Sequence, residues 1–367
     1  MLLIKKPLYG IPESGLHWFV TYHSHHIDKL GMQATKGDTC VLYKRADESL
    51  SGLTILQVDD SYDHGDDEFI RAEERESVRF QCKPRRILDK GDSSEFNGCR
   101  IHIDRNGTHS ITQSEKLRAI TEPKTRDELV SARAQVQYIG SCTRPDLCAP
   151  VQLMASTVQD PSDKTYSEMR KIIAWCHETS GVGIKYVPLD EESSRLALFT
   201  DASFANADRL KSQLGFVLVI LDDNNNANII HYGSSSRKMV ERSGMAAELH
   251  ALTYGFNQAY VAKNMLEEML GRHLDLDGYV DSRIVFNVVA KNSATLEKSL
   301  QIDAHALRES HCNGELRYLA WIPGTQNVSD GLTKSLVCFS HSLWPLITTN
   351  KLFIQPLGWV EGPKRNH

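Results

Sequence analysis

The reading of this chain turns on residues 195–206, RLALFTDASFAN. Side chains of an extended strand alternate between two faces, so Leu196 and Leu198 share one side while Ala197 and Phe199 share the other. Apolar residues on both sides describe a strand buried between two layers. The strand runs into Asp201, and a carboxylate at the tip of a buried strand needs a partner, because unpaired burial of a charge is costly. Two partners are open from this stretch alone: Asp201 caps the turn that follows, or it shares a divalent metal with other acids.

Downstream of Asp201 the elements follow in a clear order. A second strand, LGFVLVIL, covers 214–221, a DDNNN turn covers 222–226, and a third strand reads NIIHYGSSS. A long helix runs from about Ser243 to Leu270. A fourth strand ends at Asp281, a short helix covers 282–290, a fifth strand covers 316–323, and another helix starts near Val328. Three strands in a meander, then helices alternating with strands, predict a mixed five-stranded sheet flanked by helices.

Three further acids fall where they can meet Asp201. Glu248 lies in MAAELHALTYGF, and its neighbours one turn away are Gly244, Met245, Ala251 and Leu252. Residues three and four apart share a helix face, so this glutamate points from a mostly apolar surface toward the sheet. Asp281 ends the strand LDGYVDS as Asp201 ends its own. Asp330 sits in IPGTQNVSDGLTK, where Ser329 can cap the following helix with Asp330 in its first turn. Each acid belongs to a different element, as a rigid metal site requires. An all-oxygen set suits Mg²⁺, and two such ions can activate a water and stabilise the leaving oxygen of a phosphodiester.

Upstream, residues 1–45 contain a helix through VTYHSHHIDKLGM that Gly31 can end. Its histidines His23, His25 and His26 read as solvated or packed, since His25 and His26 face different ways. GLTILQV at 52–58 is a strand running into Asp59 and Asp60. Strands are expected around 94–104 and 108–113, with Asn106-Gly107 as a hairpin signal between them. The charged stretch 66–83 reads as a solvated helix, and 124–180 reads as helical. The polar run Glu191-Glu192-Ser193-Ser194 is the best domain boundary.

The bulk properties set limits. The 367 residues are enough for two or three domains. The net charge of −5 supplies no global basic field, so contact with nucleic acid would rest on local patches or metal bridges. No uncharged run reaches the ~18 residues of a membrane span. The eight cysteines form no C-x-x-C pair and read as reduced thiols of an intracellular protein, cytoplasmic or nuclear. No membrane partner is expected.

The quoted motifs together resemble a copia-type retrotransposon polyprotein, from the second half of its reverse transcriptase through its ribonuclease H, over roughly 4–336. LYGIPESGLHW, QVDD at 57–60, FNGCRI and SITQSEKL resemble palm motifs, and QYIGSCTRPDLCAPVQLMAS resembles the segment joining the palm to the nuclease. FTDASFA, AAELHAL, VDSR and VSDGLTKSL resemble the four acidic motifs of the ribonuclease H, in the family's order. The resemblance implies an α/β (α+β) chain. It divides into a partial reverse transcriptase palm (1–122), a helical thumb or connection segment (123–194), a ribonuclease H-like domain (195–336) and a C-terminal tail (337–367).

By the same resemblance Asp201, Glu248, Asp281 and Asp330 are catalytic and hold two Mg²⁺ or Mn²⁺ ions, and Asp59 and Asp60 are candidate metal ligands in the palm. Ser203, Asn206 and Ser282 near the acids, with Lys211, Arg237 and Lys238 for phosphates, are candidate contacts to nucleic acid. His305 and His311 lie near the place where relatives often carry a histidine, without a clear match. The implied activity is hydrolysis of the RNA strand in an RNA–DNA hybrid, with other chains from the same polyprotein as partners. Only eight residues precede Tyr9, and the fingers and an upstream palm aspartate are not in the sequence, so the chain alone is not expected to polymerise DNA. The alternative reading is a decayed element that binds nucleic acid without cutting it.

Overall fold

The computed structural model describes residues 12–47, 49–80, 84–207, 210–291, 298–335 and 342–364. Tyr9 and the start of its motif lie outside the described residues. The chain forms two compact units. One comprises Met1–Asp89, Glu95–Gly98 and Val261–His273, and the other Lys90–Ser94, Cys99–Tyr260 and Leu274–His367.

In the first unit, helix α1 (Ser14–Leu30) stops where Gly31 takes a left-handed φ of 66°, a conformation that suits a residue without Cβ. Strands β1 (Gln33–Ala34), β2 (Val41–Ala46), β3 (Ser49–Gln57) and β4 (Asp60–Gly65) form an antiparallel sheet in sequence order. Helix α2 (Asp67–Ser77) is capped by Asp66, whose carboxylate accepts the Phe69 N–H. Phe69 packs so tightly over the sheet that a Cβ at Gly52 would lie 2.2 Å from its ring. The expectation of a solvated α2 needs correction, because α2 buries both Phe69 and Glu73.

The expected strand over 94–104 is split. β5 (Ser93–Phe96) and β6 (Cys99–Ile103) are separated by Asn97 and Gly98, both with positive φ. β6 pairs antiparallel with β7 (His109–Thr112) across the Asn106-Gly107 turn, and β7 pairs with β8 (Ile184–Tyr186). A helical layer follows: α3 (Ser114–Ala119), α4 (Arg126–Cys142), α5 (Cys148–Leu153) and α6 (Asp163–Glu178). Thr125 and Glu128 form a capping box at the start of α4. Leu129, Val136, Ile139, Leu147, Met169 and Ile173 fill the core between these helices.

The remaining elements build a mixed sheet and the helices packed on it. They are β9 (Arg195–Ala207), β10 (Lys211–Leu221), β11 (Ala227–Ser236), α7 (Gly244–Leu270), β12 (Leu276–Val280), α8 (Arg283–Ala290), α9 (Lys298–Cys312), β13 (Tyr318–Trp321), α10 (Leu343–Thr349) and β14 (Gly358–Glu361). The strand order is β11-β10-β9-β12-β13-β14. β9, β10 and β11 are an antiparallel meander, and β12 and β13 run parallel to β9. This is the mixed five-stranded sheet anticipated from the sequence. β14 adds a sixth strand, antiparallel to β13, from a stretch in which the sequence shows no usable pattern. Leu196, Ala197, Leu198 and Phe199 are all fully buried, so β9 is covered on both faces.

Candidate metal centre

The acids meet because of strand register. β9 and β12 run parallel with Thr200 beside Val280, so the next residue of each, Asp201 and Asp281, emerges side by side. On the other flank of β9, Gly215 of β10 lies opposite Asp201. A Cβ there would sit 2.8 Å from Thr333 Cγ2 and 2.9 Å from Leu332 Cβ. The glycine therefore lets the 3₁₀ turn Val328–Leu332 lie against the sheet, and that turn carries Asp330. Helix α7 makes a similar approach at Gly255, where a Cβ would lie 2.7 Å from Thr200 Cγ2. Glu248 sits two turns earlier on that face.

Asp201, Asp281 and Asp330 each offer an oxygen, and these atoms lie within 4.8 Å of one another. Asp201 is buried, and Asp281, Asp330 and Glu248 are half-buried. Thr333 donates its hydroxyl to Asp201 Oδ2, and Lys334 Nζ donates to Asp330 Oδ1. Asn327 ties the turn to β9 through its amide, which donates to the Thr200 carbonyl at 3.0 Å, and it also hydrogen-bonds Asp281. Asn327, not the expected Ser329, caps the turn. Its side chain accepts the Ser329 N–H, while Ser329 lies buried inside the turn and donates its hydroxyl to Asn327 Oδ1 at 2.6 Å. The amide does both jobs, its oxygen capping the turn while its nitrogen reaches the β9 carbonyl.

The electrostatics describe a site short of positive charge. Burial, then the charges of Asp201 and Asp281, push the Glu248 carboxyl up to about 9, although it accepts the Ala202 N–H. Burial pushes Asp201 up to about 6, against the Thr333 hydrogen bond and together with Asp281 and Asp330. Asp281 is also raised, by burial first. Lys334 is held above its usual range by Asp330 despite partial burial. One lysine cannot balance four carboxylates that disfavour one another's ionisation. An all-oxygen donor set of this charge fits a hard divalent cation.

The other candidates fall in several places. Ser203 lies in β9 and Lys211 opens β10 near the same end of the sheet, with Gln213 of β10 paired to both Ser203 and Ser236. Asn206 is exposed. Arg237 follows Ser236 directly and is paired with Glu241 at 2.8 Å, and Lys238 is exposed. Ser282, beside Asp281, caps α8 by accepting the Val285 N–H. Asp59 and Asp60 belong to the first unit. They are exposed at the tight turn between β3 and β4, outside any metal-capable group among the described residues. His305 and His311 both lie on α9, and His311 Nδ1 is 2.8 Å from the Leu316 carbonyl. Sequence reasoning missed Thr333, Lys334 and Asn327 as supports of the acids. All three flank Asp330 in one short stretch, and no periodicity marks them.

No family model matches the sequence. The chain is 22% identical over 384 residues to the transposon Ty1-JR2 Gag-Pol polyprotein of Saccharomyces cerevisiae, covering 92% of this chain and 21% of that polyprotein. It is 23% identical over 383 residues to the transposon TyH3 Gag-Pol polyprotein of the same yeast, with the same coverage. The chain thus spans 21% of the length of the curated relatives it matches. Among solved structures, LC11-RNase H1 in complex with an RNA/DNA hybrid is 16% identical, covers 39% of this chain and 96% of its own, and has a TM-score of 0.31. RNase H1 of the archaeon Halobacterium salinarum is 15% identical over 38% of this chain and 94% of its own, with a TM-score of 0.27. Over 92% of its length the chain is similar in sequence to the yeast Ty1 Gag-Pol polyproteins, a similarity that supports its being a retrotransposon Pol segment.

Proposed function

We propose that this chain is a metal-dependent ribonuclease of the RNase H type that cuts the RNA strand of an RNA–DNA hybrid. The observation that carries the reading is the convergence of Asp201, Asp281 and Asp330, from three separate elements, with the Glu248 carboxyl beside them. Asp201, Glu248, Asp281 and Asp330 would hold Mg²⁺ or Mn²⁺. Ions bound there supply an activated water and neutralise charge at the leaving oxygen of a phosphodiester.

The chain's own residues do the rest. β9 and β12 fix two carboxylates by register, and Thr333 and Asn327 hold Asp201 and Asp281 in place. Lys211 and Lys238, with Ser203 and Asn206, offer contacts to phosphates and 2′-hydroxyls, which distinguish RNA from DNA. The test is cleavage of a hybrid labelled on either strand, with Mg²⁺ or Mn²⁺, by the wild-type chain and by Asp201→Asn. Metal-dependent cutting of the RNA strand that the substitution abolishes is expected. A wild-type chain that does not cut, or an Asp201→Asn chain that cuts as well, overturns the reading.

A further inference from the structure

The first unit contains a second cluster of ligating side chains, remote in sequence from the four acids. His26 of α1, Asp63 of β4 and Glu73 of α2 bring an imidazole nitrogen and two carboxylate oxygens within 4.8 Å of one another. His26 and Glu73 are both 0% exposed. Among the described residues, His26 Nε2 and both Glu73 oxygens are buried without a hydrogen-bond partner, a combination that folded proteins avoid unless something unseen answers it.

We propose that His26, Asp63 and Glu73 form a structural site for a divalent transition metal, Zn²⁺ by its donor set, that ties α1, β4 and α2 together. The hydrogen-bonding around the three side chains has the form a ligating set requires. His26 Nδ1 is 2.8 Å from the Tyr22 carbonyl. A carbonyl only accepts, so Nδ1 carries a proton and Nε2 faces Glu73; the two carboxylates favour a positive charge at Nε2, which a second proton or a bound cation can supply. Histidine ligands are oriented by such a bond from the other ring nitrogen. Asp63 is also oriented, accepting from the Thr54 hydroxyl at 2.8 Å and from Arg85 Nη2 at 3.0 Å.

The spacing separates a metal from a proton. His26 Nε2 and Glu73 Oε1 are 3.6 Å apart. An imidazolium hydrogen-bonded to a carboxylate closes to about 2.7–2.9 Å. Two donors on one tetrahedral zinc, each about 2.0–2.1 Å from it, stand about 3.3 Å apart. The observed gap lies beyond both values and closer to the second. Arg85, 3.4 Å from Glu73 Oε1 and partly exposed, offsets one carboxylate. The other carboxylate and the Nε2 lone pair are what the metal answers. One imidazole with two carboxylates is a borderline donor set that zinc accepts.

The test uses the full chain carrying Asp201→Asn and Asp330→Asn, which removes the candidate metal centre of the second unit. After stripping with chelator and dialysis against Zn²⁺, one zinc per chain is expected by elemental mass spectrometry, with a higher thermal midpoint than the stripped protein. His26→Gln and Glu73→Gln in that background should each lose the zinc and the midpoint rise. Zinc-edge X-ray absorption on the loaded chain should show scattering from one imidazole, a readout that does not depend on those variants folding. No retained zinc, zinc unchanged in His26→Gln, or no imidazole at the zinc overturns the proposal and leaves a protonated His26 in the cluster. None of these results bears on cleavage of a hybrid.

Discussion

Gly255→Ala tests whether the close approach of α7 sets the position of Glu248. The added Cβ would lie 2.7 Å from Thr200 Cγ2, 3.1 Å from Phe216 Cβ and 3.2 Å from Leu198 Cδ1. Two of these atoms sit next to the backbone of central strands and cannot swing away. The shortest falls about 0.7 Å inside ordinary contact, so the helix must lift by about that much. Overpacking of this kind costs about 1–3 kcal/mol, and replacing a mid-helix glycine by alanine returns about 1 kcal/mol of propensity. The net loss of stability is then ~0–2 kcal/mol, and the chain stays folded. Glu248 rides on the same face and moves with the helix. A misplacement of about 1 Å at a reacting centre costs on the order of 100-fold, so cleavage of a labelled hybrid should fall about 10- to 100-fold, out of proportion to the lost stability. Gly244→Ala is the control, because nothing lies within 4 Å of its Cβ, and it should change neither the urea midpoint nor the rate. If the two variants match each other in both measurements, the close approach at Gly255 does not position the acid.

Asp146→Ala should be among the most damaging single changes in the helical layer. Arg144 is fully buried, and Asp146 pairs with its Nη2 at 2.6 Å and its Nε at 2.8 Å while accepting the Trp175 indole N–H at 2.8 Å. Leaving that guanidinium with Thr179 and the Trp344 ring but no carboxylate should cost about 3–5 kcal/mol by urea denaturation, and a loss below about 1 kcal/mol would mean water reaches Arg144. Asp277 gives a pH dependence. Burial pushes its carboxyl up to about 7 against the pull of Arg195, from an ordinary 3.8. The fold disfavours the charged form, so the contribution to stability is full below the ordinary value and is lost as pH rises through about 7. Between pH ~5 and pH ~9 the wild type should therefore lose roughly 1–4 kcal/mol relative to Asp277→Asn. A difference in urea midpoint that stays flat with pH removes Asp277 from the account.

Much of the second unit could be read from local pattern. β9 has apolar residues on both faces because it is covered on both, and Glu248 stood out because an acid on an apolar helix face has to be facing something. Elements that depend on partners far away in sequence escaped. The charges of α2 interleave like those of a solvated helix, yet Glu73 is buried, because its companions His26, Asp63 and Arg85 lie on other elements. β14 has four residues, GWVE, too few for a period, and exists because β13 offers it an edge. α9 buries Leu300, Ala304 and Leu307 at helical spacing, a stripe too short to stand out among its charged neighbours.

The metal centre itself depends on register, which no local pattern reports. If β12 slipped by one residue against β9, Asp281 would turn to the other face of the sheet, and four acids in the right order would no longer share a site. Two things hold the register. Leu276–Val280 are buried throughout, so a slip of one residue would carry Asp281 into a buried position. Asp277 is also anchored to Arg195 at 3.1 Å, at the end of β9 opposite Asp201. The ion pair at one end of the strand pair and the carboxylates at the other are therefore parts of one constraint. Moving either end means breaking both, so the apolar residues between Arg195 and Asp201 govern the candidate site as much as the acids do.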